Sequence, residues 1–261
     1  MGSVDPLVLT LWRFVLGTVV LGVVMLARGK TVSLSRRSVL LLALMGVLNT
    51  FLSMSLLQMA VKNTSAARAA TIFCSNPILV VLLASVLRWE KLTGRRIAGL
   101  SLGFTGLVLV TGAHRLTLDP GTVYALLASL TFALYILVGR KASLDTDAVA
   151  VNVVSFTFGI AVLFLWLMFS GTDISPGPLF EHLPSFIFVG AGVSGLGYIA
   201  FIATIRKMGA GNASTIFLLK PAVATILAIV LIKEPVSPQF LAGLTLSGAG
   251  SWLVTSSKSQ L

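Results

Sequence analysis

Long apolar stretches alternate with short polar breaks along the whole 261-residue chain. A run of about 17–25 apolar residues is long enough to cross the hydrocarbon core of a bilayer as one helix. By that measure the pattern predicts nine spanning helices, at 6–27, 39–60, 66–87, 97–113, 121–139, 148–170, 185–205, 212–232 and 239–256. The breaks between them carry turn or charge signals, among them Arg28-Gly29-Lys30, Arg36-Arg37, Gly94-Arg95-Arg96 and Ser175-Pro176-Gly177-Pro178. The first span is expected to remain in the protein. It has no basic start, holds Arg13 inside it, and no small-residue cleavage site precedes the next span.

Composition agrees with the pattern. Hydrophobic residues make up 56% of the chain and charged residues 10%, with a mean hydropathy of +1.00. Soluble domains carry about 25% charged residues, so the expected class is an all-α polytopic membrane protein. The net charge of +11 does not point to nucleic acid, because the basic residues form short pairs between apolar runs instead of one face or tail. Alternate loops divide them unevenly. Thirteen (Arg28, Lys30, Arg36, Arg37, Arg88, Lys91, Arg95, Arg96, Arg140, Lys141, Arg206, Lys207 and Lys258) fall on one side, and four (Lys62, Arg68, Arg115 and Lys233) on the other. Cytoplasmic loops are the basic ones. The expected topology therefore has the N-terminus outside and the C-terminus in the cytoplasm.

Catalytic chemistry finds no foothold in the spans. Cys74 is the single cysteine, His114 and His182 fall between spans, and no carboxylate lies within one. A membrane-embedded hydrolase needs such groups in the bilayer. No catalytic residue, metal site or cofactor is expected, and an enzyme is not.

An internal repeat organises the chain. Pro77 and Pro221 stand 144 positions apart, as do Glu90 and Glu234, Gly99 and Gly243, and Gly106 and Gly250. Comparing 63–111 with 207–255 without a gap gives 19 identities over 49 positions. Apolar composition inflates chance matches, but it does not align proline, glutamate and glycines together. Glu90 falls on the inferred cytoplasmic side and Glu234 on the outer side, so the copies are inverted. Inverted repeats are a common architecture of secondary transporters. The second copy holds five spans from about residue 121, and projecting that start back places the first copy's start before Met1. One helix of the first repeat is therefore expected to be missing.

These features resemble the drug/metabolite transporter superfamily, in its EamA-like branch. The resemblance rests on DPLVLTLWRFVLG at 5–17, the proline-to-glutamate block with trailing glycines at 77–106, and the same block at 221–250. It implies two inverted five-helix repeats, here 1–115 with four helices and 119–257 with five. It also implies a transporter of amino acids, related metabolites or drugs, working by export, in the plasma membrane (the inner membrane of a bacterium). Alternating access by rocking of the repeats around a central site is the expected mechanism. The rival expectation is a truncated or non-transporting subunit that needs a partner helix or chain. Expected partners are a small-molecule solute, the lipid bilayer and, as an open option, a second copy in a homodimer; nucleic acid is not expected.

Pro77 and Pro221 cannot donate to the carbonyls of Phe73 and Phe217. In lipid, a freed carbonyl costs several kcal/mol unless it is satisfied. Each helix kink therefore either faces a wet cavity or merely fits its neighbours. Asn76 and Lys220 occupy equivalent positions before the prolines. Lys220 lies about 12 Å into its span, where a lysine costs about 2.5–3.5 kcal/mol; it either snorkels or faces a cavity and attracts an anionic or zwitterionic solute. Arg13, inside the first span, matches an arginine often present in the resembling family, with either a structural or a substrate-contacting role. The polar pairs Asn49 with Ser53, Thr131 with Tyr135, and Ser194 with Tyr198 mark further cavity faces or interhelical hydrogen bonds. Gly99, Gly103 and the 190–197 stretch read as close helix packing. Glu90 and Glu234, beside Lys91 and Lys233, read as helix-end landmarks in interfacial ion pairs or as proton-coupling groups.

Overall fold

A computed structural model of the chain describes residues 5–29, 35–64, 66–111, 119–221, 223 and 238–256. No strand occurs among the described residues, and the protein is an all-α, multi-pass membrane protein. Its helices are α1 (Pro6–Ala27), α2 (Arg36–Gly46), α3 (Met54–Asn63), α4 (Ala66–Cys74), α5 (Asn76–Val86), α6 (Gly94–Thr111) and α7 (Pro120–Asp145). There follow α8 (Ala148–Phe169), α9 (Gly177–Phe180), α10 (Leu183–Ile187), α11 (Tyr198–Met208), α12 (Ala210–Ser214) and α13 (Pro238–Thr255). Two π-helical segments, Val47–Ser53 and Phe188–Gly197, join α2 to α3 and α10 to α11. Six stretches among the described residues are long and apolar enough to cross a membrane: Pro6–Ala27, Arg36–Asn63, Arg68–Val86, Pro120–Leu144, Ala148–Phe169 and Leu183–Met208.

Local chemistry places the ends. Asp5 Oδ1 accepts from the Leu7 amide at 2.7 Å, with Pro6 opening α1 where no donor is needed. Ser35 Oγ accepts from Ser38 N at 3.1 Å and starts α2. Asp147 Oδ1 accepts from Val149 N at 3.0 Å and starts α8. Six of the nine predicted spans coincide with these stretches, those at 97–113 and 239–256 fall on α6 and α13, and the remaining one lies partly outside the described residues. The span expected at 121–139 continues as helix to Asp145, because Arg140 and Lys141 extend the helix beyond the apolar run until the Asp147 cap stops it. The span at 66–87 is two helices, α4 and α5, separated at Ser75. The span at 212–232 is described only through 221 and at 223.

The chain forms two compact units, each drawing on both halves of the sequence: Met1–Gln58 with Leu134–Lys207, and Met59–Ala133 with Met208–Leu261. In the first, Val8, Leu11, Leu163 and Leu167 form a buried cluster joining α1 to α8. There Gly46 of α2 meets α8 so closely that a Cβ would lie 2.7 Å from Gly159 N and collide with Ser155 O. In the second, α6 and α13 cross along a glycine seam: a Cβ on Gly99 would sit 2.8 Å from Gly250 O, and one on Gly243 would sit 2.8 Å from Gly106 O. Small residues let backbones approach in lipid, where dispersion replaces the hydrophobic effect as the driving force.

Candidate functional site

In the first unit, α1, α7, α8 and the two π-helical segments gather aromatic rings around a polar centre. Tyr198, directly after the second π-helical segment, donates its hydroxyl to Asn49 Oδ1 at 3.3 Å, on the first such segment. The Tyr198 ring meets Phe156 at 5.0 Å, Phe14 at 5.9 Å and Tyr135 at 6.3 Å between centroids, each edge-on. Phe14 and Phe156 meet edge-to-face at 4.8 Å. Edge-to-face rings bury apolar area while exposing polarisable faces.

Arg13 sits over Phe14, its Cζ 4.9 Å from the ring centroid. Among the described residues its Nε has no hydrogen-bond partner, nor has Asn49 Nδ2, Thr50 Oγ1, Ser194 Oγ or Asn152 Oδ1. Asn49, Thr50 and Asn152 are fully buried and Ser194 nearly so. Satisfied buried polar groups are the rule, so these unsatisfied atoms make the first unit a candidate site. Arginine at such depth costs about 2.5–3.5 kcal/mol by insertion scales, and stacking on Phe14 offsets part of that.

The π-helical segments explain this geometry. Their wider i→i+5 turns are associated with functional sites, and the segment 188–197 contains four glycines that remove side-chain support for a tighter turn. Thr50 and Ser194 are 144 residues apart, as are Gly46 and Gly190. Each glycine–hydroxyl pair seats on a neighbouring helix: Gly46 on α8, and Gly190 against Leu16 of α1.

In the second unit, Pro77 stands in the first turn of α5. The carbonyl that it deprives of a donor is occupied: Asn76 Nδ2 donates to Phe73 O at 3.0 Å. Asn76 is fully buried, and its Oδ1 has no partner among the described residues. The repeat-related rings Phe73 and Phe217 lie 6.2 Å apart, and each lies 5.1 Å from Phe132 of α7. Lys220, exposed, places Nζ 4.5 Å from the Phe217 ring centroid. Pro221 follows in a helical stretch. The turn before it comes at Thr215, whereas the turn before Pro77 comes at Ser75, so the two copies break their helices at different distances from the proline.

Glu90 departs from the sequence-based expectation. It does not pair with Lys91, whose side chain is exposed. Its Oε2 accepts from Arg96 at 2.8 Å, with both side chains 1% exposed. Glu90 Oε1 accepts from Gly211 N at 3.1 Å, and Arg96 also donates to Asn212 Oδ1 at 3.3 Å. The loop after α5 folds back so that Glu90 reaches α6 and the start of α12. It is a buried structural pair, not one at an exposed interface. Glu234 and Lys233 lie outside the described residues.

Four sequence candidates thus come together in the first unit: Arg13, Asn49, Tyr135 and Tyr198. Asn76 and Lys220 belong to the second. Of the polar pair Asn49 and Ser53, Asn49 takes up an interhelical hydrogen bond, accepting from the Tyr198 hydroxyl at 3.3 Å. Thr131 instead bonds carbonyls of its own helix, Leu127 O at 2.9 Å and Ala128 O at 3.1 Å. Sequence reasoning missed Thr50, Phe14, Phe156, Arg96 and Asn212. The 144-residue spacing of Thr50 and Ser194 was the signal available for the first.

The fold defines a polytopic all-α membrane protein. The EamA-like transporter family model matches residues 1–112 and 119–256, and the chain belongs to that family. It is 29% identical over 259 residues to an uncharacterized transporter of Clostridium kluyveri, covering 96% of this chain and 83% of that one. It is 23% identical over 239 residues to the uncharacterized transporter YyaM of Bacillus subtilis, covering 87% and 77% respectively. A crystal structure of a protein 20% identical shares the fold, with a TM-score of 0.80 over 98% of this chain and 90% of the other. By these relationships the protein is a membrane transporter.

Proposed function

We propose that the chain exports small organic solutes (amino acids, related metabolites or drugs) across the bacterial inner membrane by alternating access of its two inverted repeats. One observation carries the reading. Arg13 of α1, Asn49 on the first π-helical segment and Tyr198 directly after the second form a polar centre among aromatic rings, and the two segments overlap in repeat-equivalent positions. Unsatisfied polar atoms beside flat apolar walls suit an organic solute with one polar end. Wide helical turns at equivalent positions suit a pair of hinges of which each repeat owns one. The N-terminus faces outside and the C-terminus the cytoplasm in this reading, following the basic loops.

The test is flux. A deletion strain and an overexpressing strain are compared by metabolite profiling, and the solute that accumulates inside the first and outside the second is loaded into proteoliposomes containing the purified chain. Counterflow of that solute, lost on replacing Tyr198 and Asn49 together with Phe and Leu, supports the reading. Absence of flux from the chain alone, restored by a partner helix or chain, overturns it in favour of a dependent subunit.

A further inference from the structure

Among the described residues Arg13 has no counter-ion. Seven of the chain's eight acids, Asp5, Glu90, Asp119, Asp145, Asp147, Asp173 and Glu181, stand in loops or at helix ends, and Glu234 lies outside the described residues. Glu90 is already held by Arg96. Arg13 makes no ion pair or hydrogen bond among the described residues, and its Nε is buried without a partner. No helix carbonyl among the described residues accepts from Arg13 Nε, although carbonyls are a usual recourse of an intramembrane arginine.

A second donor is poised in the same cluster. Asn49 is completely buried. Its oxygen accepts from the Tyr198 hydroxyl, which turns the amide so that Nδ2 carries two hydrogens with no partner among the described residues. Tyr198 is anchored in turn by Phe14 and Phe156, and Phe14 also carries the Arg13 guanidinium on its face. One charged donor, Arg13 Nε, and one neutral donor, Asn49 Nδ2, are thus both unpartnered among the described residues and both tied to the same ring cluster, the kinds of donor that a carboxylate with two acceptor oxygens would engage. The rings around it receive an apolar body.

We propose that the transported solutes are carboxylates with an apolar body, and that the carboxylate is the missing partner of Arg13 and Asn49. Tyr198 is a positioning residue, because it acts by holding the Asn49 amide. This inference rests on the transporter reading and narrows its substrate class.

Matched probes test it: 3-phenylpropionate against 3-phenylpropionamide, with sodium chloride as the inorganic anion, binding to the full chain in lipid nanodiscs. The carboxylate is expected to bind at least tenfold more tightly than the amide, with chloride failing to compete. Arg13→Gln is expected to erase the preference, Arg13→Lys to keep part of it, and Tyr198→Phe to reduce it several-fold without changing the melting temperature by more than a degree or two. Asn49→Leu serves as an independent variant should Arg13→Gln not fold. Equal binding of the two probes, binding of neither, competition by chloride, or a preference that survives both Arg13→Gln and Asn49→Leu overturns the proposal. Solute flux separates this from the reading beneath it. Flux of an uncharged solute with no carboxylate preference sinks only the substrate class, whereas carboxylate preference without flux of any solute sinks only the transporter reading.

Discussion

The two compact units solve the problem of polar groups in lipid in opposite ways. In the second unit the strongest charges are consumed internally: Glu90 and Arg96 pair, Gly211 and Asn212 complete the network, and Asn76 takes the carbonyl that Pro77 leaves open. In the first unit the corresponding resources are withheld. Arg13 Nε, Asn49 Nδ2, Thr50 Oγ1 and Ser194 Oγ remain unpaired among the described residues. Both units pack through glycine contacts, so the difference is not one of packing quality. It lies in where hydrogen-bonding capacity is spent. The second unit spends its buried charge on the fold, although Asn76 Oδ1, Thr122 Oγ1, Ser129 Oγ and Ser247 Oγ also lack partners there among the described residues, whereas the first unit leaves a charged donor, Arg13 Nε, unpaired.

Breaking the charge pair of the second unit gives the largest effect. Arg96→Met removes the guanidinium that neutralises the buried Glu90 carboxylate, and breaking a buried ion pair by removing one partner typically costs about 3–5 kcal/mol. The variant is expected to abolish folded protein in a fluorescence-detected size-exclusion assay. The double variant Glu90→Gln with Arg96→Met recovers most of the loss, since no lone charge remains. Lys91→Met, by contrast, changes stability by no more than about 0.5 kcal/mol, as expected of an exposed side chain. A Lys91 variant as damaging as Arg96→Met would show that the ion pair has been assigned to the wrong cation.

Next in size are the glycine contacts, which test whether the units pack alike. Gly46→Val in the first unit and Gly99→Val in the second both drive a side chain into backbone, at a cost of about 1–3 kcal/mol or more. Gly22→Val and Gly248→Val are their controls, because nothing lies within 4 Å of a Cβ at either position. Thermal unfolding in detergent should drop for the first pair and hold for the second. A first unit indifferent to Gly46→Val is not packed through α2 and α8 as described.

The unpaired hydroxyls sharpen the contrast further. Replacing a buried hydroxyl that has no partner by an apolar group of the same shape is nearly neutral or stabilising. Thr50→Val and Ser194→Ala in the first unit, and Ser247→Ala in the second, should each leave the melting temperature within a few degrees of the parent. Flux separates them: a loss of about tenfold is expected for the first two and none for Ser247→Ala. Equal flux in all three would mean that unsatisfied polarity does not distinguish the units functionally.

Much of this was legible in the residues. Apolar run length located the spans because the bilayer imposes a length on any helix that crosses it, and the paired prolines and glycines exposed the repeat. Three things were not. The π-helical segments have no simple period, and the spacing that marked Asn49 as a candidate for an interhelical hydrogen bond could not name Tyr198 as its partner. The Glu90–Arg96 pair spans six positions through a loop whose fold no local pattern specifies, while Lys91 stood next to Glu90 and attracted the assignment. Arg13 was recognisable as costly, but not as unpartnered, since that depends on what three other helices bring to its side. The internal repeat also covers less than it suggests: the turns at Ser75 and Thr215 occupy non-equivalent positions, so matching residues do not ensure matching backbone.

The smallest effect tests that last point at Asn76. Its amide donates to Phe73 O, the acceptor that loses its ordinary partner because Pro77 has no N–H. Asn76→Ala should therefore destabilise by about 1 kcal/mol, the net worth of one such bond, with more added if the carbonyl is left dry. Pro77→Ala supplies the missing amide donor at the next residue, so the Asn76 side chain becomes redundant. In the Pro77→Ala background, Asn76→Ala should cost less than half as much as in the parent, a coupling measurable by a double-mutant cycle on thermal unfolding. Independent, additive costs would mean that Asn76 is not compensating for the proline. Its equivalence to Lys220 would then be the better guide, with the position serving solute in both repeats rather than structure in one.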